Sequence, residues 1–75
     1  MTDRDAARAA QTQVSALVQG HALVNGVGLR RRTGSWVVKV NLAGDDRGLR
    51  RRLPATVGGV PVEVEVVGGI TAQAG

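Results

Sequence analysis

The spacing of apolar positions changes along the chain, and each change marks an element. In the first twenty residues Ala7, Ala10, Val14, Leu17 and Val18 recur three and four apart. On a 3.6-residue period this gathers them on one stripe and leaves Arg4, Arg8, Gln11 and Gln13 in water. Thr2 with Asp5 three residues on is a weakened capping box, and Asp3 and Asp5 suit the positive end of a helix dipole. Gly20 suits the position just past a helix end. The spacing predicts a helix over about 3–19.

From Leu23 the period drops to two. Val27 and Leu29 form one alternating run, and Trp36, Val38, Val40 and Leu42 form a second. Between them Arg31-Arg32-Thr33-Gly34-Ser35 offers a glycine for the positive φ of a hairpin turn. Two antiparallel strands are predicted, over about 22–31 and about 35–43. Gly26 and Gly28 fall on the face opposite Val27 and Leu29, where their missing side chains would let another backbone, such as the first helix, approach.

Ala43-Gly44-Asp45-Asp46 reads as a loop ending in a cap, after which Leu49, Leu53 and Val57 lie four apart. A short helix over about 46–57 is predicted, interrupted at Pro54, which lacks the amide of an inner turn. Gly58-Gly59 closes it. Val60, Val62, Val64 and Val66 then alternate with Pro61, Glu63 and Glu65, the clearest strand in the chain, over about 60–67. Residues 70–75 read as a loose tail. The expected architecture is α+β, a single αββαβ domain spanning 1–75. The crossover rule sets the last strand parallel to the second with the first between them, a three-stranded sheet of order 2-1-3 with helices packed on one face.

Gly26-Val27-Gly28 at the end of a Val/Leu run, the hairpin to Val37-Val38-Lys39-Val40, Leu53-Pro54 and Gly59-Val60-Pro61-Val62-Glu63-Val64 together resemble a small α/β module that precedes trypsin-like serine peptidase domains in bacteria. The likeness covers about residues 14–69. It implies a compact accessory or interaction domain, and at most an inhibitor-like or propeptide-like partner of a protease. No peptidase nucleophile segment is present, so nothing catalytic carries over.

Composition narrows the function. A chain of 75 residues, 43% apolar, has Trp36 as its one aromatic and no cysteine. It buries only about 60% of its unfolded surface. Small scaffolds of this kind often gain stability from a second copy. With no thiol and one histidine, His21, no metal and no cofactor are expected. His21 follows the helix end, where an imidazole meets free carbonyls or water. Asp45-Asp46 suits a cap better than a cation site, and Gly26-Val27-Gly28 lacks the third glycine of a dinucleotide fingerprint. Glu63 and Glu65 read as solubilising or edge-protecting charges. The inventory lacks a nucleophile with a base, so no enzyme is expected.

The polar start and the lack of an apolar run near the roughly 18 residues of a membrane span make a cytoplasmic protein with no membrane partner the expectation. Net charge is +4. Residues 30–52 hold eight cations against Asp45 and Asp46. Arg30, Arg31, Arg32, Arg50, Arg51 and Arg52 could neutralise phosphates if both clusters met at one end of the sheet. Stacking aromatics are few, so nucleic acid is the alternative reading. The leading expectation is a non-enzymatic interaction module that self-associates, as a homodimer first and with a protein partner second. Trp36, Val14 and Leu17 are its candidate interface residues, although an indole in a core this poor in bulk is more simply its largest filler.

Overall fold

A computed structural model describes residues 3–67, and the tail expected over 70–75 lies outside them. Helix α1 runs Arg4–Val18. Its cap is Asp3, whose carboxylate accepts the Ala6 N–H at 2.7 Å, while Thr2 lies outside the described residues. Asp3 therefore takes one of the amides that the first turn leaves unpaired. Gly20 stands past the helix end at φ +81°, a backbone region that glycine enters without a steric penalty.

Strands β1 (Val24–Arg32) and β2 (Ser35–Leu42) form the expected antiparallel hairpin, with Arg32 opposite Ser35. Its two loop residues, Thr33 and Gly34, both have positive φ, 50° and 80°. That is the primed turn whose twist matches the strands it joins.

Helix α2 spans only Arg47–Arg52. Asp46 caps it by accepting the Leu49 N–H at 2.9 Å. The helix ends early because Pro54 disfavours helical geometry at the residue before it, and Leu53 is extended at φ −82° and ψ 129°. In place of the predicted helical turns the chain makes a two-residue strand, β3 (Thr56–Val57). It turns through Gly58 and Gly59 at φ 57° and 83° into β4 (Val60–Val66).

The sheet is mixed and four-stranded in the order β1-β2-β4-β3, which corrects the three-stranded 2-1-3 arrangement. The last long strand is parallel to β2 as expected, with Val38 opposite Val62 and Val40 opposite Val64. It lies directly beside β2, however, and β1 is an edge. The reason lies in β2 itself. Val37, Val38, Val40 and Leu42 are all buried, so this strand hides side chains on both faces, which is the requirement of a central position. β1 alternates glycines and arginines with its apolar residues and meets no such requirement.

One face of the sheet carries the core. Ala7, Ala10, Val14 and Val18 of α1 and Leu49 of α2 pack on Val38, Val40, Leu42, Val57 and Val60. The alanines let α1 lie close to the strands. Gly26 and Gly28 face the other side, and a Cβ built on either meets nothing within 4 Å. The close helix approach expected there does not occur.

Candidate interaction site

The face away from the helices is formed by Gly28, Arg30 and Arg32 on β1, by Ser35, Val37, Lys39 and Asn41 on β2, and by Glu63 and Glu65 on β4. Opposite charges link its strands. Arg32 pairs with Glu63, and Lys39 with Glu65. The Lys39 hydrogen bond, followed by its charge and that of Arg30, holds the Glu65 carboxyl below its usual range. Val37 is 4% exposed although no helix covers this face. Arg30 is its partner in register, and long arginine stems cover apolar surface while their heads stay wet. Further along the same face, opposite Gly26, the Asn41 Oδ1 is buried without a hydrogen-bond partner among the described residues.

The first arginine cluster is divided by the pleat. Arg30 and Arg32 belong to the open face, whereas Arg31 turns to the helix side and lies over the Trp36 ring. Trp36 is half-buried against the rim of the core. The second cluster begins at the opposite end of β2, where the chain leaves Leu42 for α2. The condition for one merged basic patch at a single end of the sheet is therefore not met at the start of α2. Arg50 donates from Nε to Asp45 at 2.6 Å. That bond, with the Asp46 amide and the charge of Arg47, keeps the Asp45 carboxyl below its ordinary value. Arg51 and Arg52 are exposed and make no ion pair among the described residues.

His21 is tied into the fold. Its Nδ1 accepts the Leu23 N–H at 3.2 Å, and its Nε2 lies 3.4 Å from an Asp46 carboxylate oxygen. This places the ring proton on Nε2 and links the turn after α1 to the cap of α2. Asp46 thus serves as a cap. No group of three His, Cys, Asp or Glu side chains with metal-holding spacing occurs among the described residues.

The candidate interface residues are scattered. Val14 is fully buried beneath α1 and has no surface to offer, a correction to its expected role. Leu17 is 49% exposed. Val66, which the alternation of its strand places in the inward row, is 41% exposed. Both lie toward the end of the sheet where α1 and β4 finish.

The more telling feature is backbone. β3 pairs with β4 only at Val60 and Pro61, and the Val62 N–H is taken by the Ala55 carbonyl at 2.9 Å. The Val67 N–H points the other way, to the Leu42 carbonyl at 2.8 Å. Strand groups alternate sides, so the amides and carbonyls of Val64 and Val66 point away from β2, to an edge that no strand covers among the described residues. On β1 the Gln11 side-chain amide caps the Val27 carbonyl at 2.8 Å. The same alternation leaves the backbone groups of Leu29 and Arg31 outward.

Comparison with family models, with curated proteins and with solved structures finds no match to this chain, and nothing in it bears on the likeness to the peptidase-associated module. No helix among the described residues is long and apolar enough to cross a membrane.

Proposed function

We propose that the chain is a non-enzymatic interaction module that self-associates through the edges of its sheet. The observation that carries this reading is the pair of edges that nothing among the described residues covers, at Leu29 and Arg31 on β1 and at Val64 and Val66 on β4. Rows of unpaired strand amides and carbonyls are a template for another strand. The core also favours a partner, since its largest fully buried side chains are one leucine and four valines, and small domains with so little apolar volume gain from oligomerisation. Sedimentation velocity across a concentration series tests the reading. The mass should rise with concentration, and a monomer throughout would overturn it.

A second reading is favoured by Arg47, Arg51 and Arg52, exposed on one short helix and making no ion pair among the described residues. Such a surface suits a phosphate backbone read by charge rather than by base. Binding to duplex DNA that falls steeply between low and moderate salt, and that is lost in the triple alanine variant of these residues, would support it. No binding at low salt would remove it.

A further inference from the structure

The two open edges differ in a way that decides how they could pair. The β1 edge bears Arg30, Arg31 and Arg32, and the β4 edge bears Glu63 and Glu65. Pairing of β4 with β4 of a second copy would crowd carboxylates together, and pairing of β1 with β1 would crowd guanidinium groups. Like charges directly opposite are destabilising. The unlike pairing, β1 of one copy against β4 of the next, has no such conflict.

We infer that copies of this chain join head to tail, the β1 edge of one adding antiparallel to the β4 edge of its neighbour. This deepens the self-association reading and rests on it. The register follows from which backbone groups point outward. Leu29 and Arg31 of one copy must exchange hydrogen bonds with Val66 and Val64 of the other, since the amides and carbonyls of those residues point outward with no strand partner among the described residues. This sets Leu29 against Val66 and covers an exposed valine. It also brings Arg30 opposite Glu65, Arg32 opposite Glu63, and Gly28 opposite Val67. Sliding the strands by two residues either way loses one of the two charge pairs.

The existing ion pairs do not compete with this arrangement. A carboxylate accepts on two oxygens and a guanidinium offers five N–H groups, so Glu63 can keep its own Arg32 and receive another. The free stretches also match, since the Gln11 cap on Val27 and the Ala55 cap on Val62 each leave the residues beyond them open. Because the two surfaces are different, the contact is heterologous and adds copies in a ring or a row rather than stopping at two.

The chain lacks cysteine, so introduced thiols report the register without ambiguity. Gly28 and Val67 would form a non-hydrogen-bonded pair, close enough for a disulfide, and a Cβ at Gly28 meets nothing within 4 Å. Full-length Gly28→Cys and Val67→Cys proteins are mixed, oxidised and run without reductant. The expected result is a disulfide joining one of each. In parallel, Arg30→Glu and Glu65→Lys are sedimented alone and mixed, with circular dichroism confirming their fold. Each variant alone should associate roughly tenfold more weakly or worse, and the mixture should recover. Mass that grows past a dimer supports the arrangement. Self-cross-linking of Val67→Cys, or unchanged assembly of Arg30→Glu, overturns the head-to-tail contact while self-association stands. A monomer at every concentration overturns both.

Discussion

Arg31 lies over the indole of Trp36, its guanidinium carbon 5.6 Å from the ring centroid, directly across the β1–β2 hairpin. The register explains the contact. Val27, whose carbonyl points outward, faces Val40, so Arg31 and Trp36 two steps later also form a non-hydrogen-bonded pair, in which side chains stand closest. A cation over a partly exposed indole contributes about 0.5–1 kcal/mol.

Replacing Arg31 by alanine should therefore lower stability by about 0.5–1 kcal/mol and uncover the indole. Trp36 is the only aromatic residue, so its fluorescence reports the site alone. The emission should move to longer wavelength in the folded variant. An unchanged spectrum would mean that Arg31 does not shield the ring in solution.

The core should be most sensitive at Leu42, which is fully buried at the end of the central strand β2. Leu42→Ala should cost about 2–5 kcal/mol, a large part of the roughly 4–11 kcal/mol that a domain of this length holds in total. Leu17, 49% exposed, should change stability by about 0.5 kcal/mol or less when cut to alanine. Urea unfolding of the two variants checks the contrast. Equal losses would contradict the burial described for α1 and β2.

These two leucines show what the sequence makes legible. Spacing alone sets Ala7, Ala10, Val14, Leu17 and Val18 on one helical stripe, of which all but Leu17 are buried, and it also gives the hairpin and the alternating valines of β4, because burial on one face imposes a period. Strand order does not follow from period. It depends on which strand must hide both faces, and the only sign of that was Val37, an apolar residue out of phase beside Val38. The strand β3 was marked more openly, since Gly58-Gly59 between Thr56-Val57 and Val60-Pro61 has the two-residue spacing of a hairpin turn. The four-residue spacing of Leu49, Leu53 and Val57 pointed instead to a helix. The open edges were legible only in general terms, because which amides are left unpaired depends on the sheet order.

Two exposed ion pairs, Lys39–Glu65 on the open face and Arg50–Asp45 at α2, should make stability fall in acid. Glu65 is held below its usual range chiefly by Lys39, and Asp45 by Arg50. A carboxylate with a depressed folded value stabilises the fold above its unfolded value, and this contribution is lost as pH falls through the folded one. The window therefore opens at about pH 4.3 for Glu65 and about 3.9 for Asp45, and extends below. Thermal melts of the native protein and of Glu65→Gln should differ at pH 6 and converge toward pH 3 (~3 units lower). Both groups are exposed, so the difference should be small and should shrink in salt. A gap that widens in acid would contradict the pairing with Lys39.

The hairpin turn holds the one non-glycine residue with positive φ among the described residues, Thr33 at 50°. A β-branched side chain is poorly suited to that region, since Cβ crowds the backbone there. Gly34 beside it, at φ 80°, meets the same demand without cost. Asparagine tolerates the left-handed region, and Asn-Gly is the pair that this turn type favours. Thr33→Asn should therefore stabilise the protein by about 1 kcal/mol, since a residue held in that region costs roughly 1–3 kcal/mol. For a domain of this size the melting temperature should rise by about 4–8 °C. Thr33→Val, which keeps the branch, should give no such gain. If Thr33→Asn melts at or below the native temperature, the turn in solution does not hold residue 33 in the left-handed region.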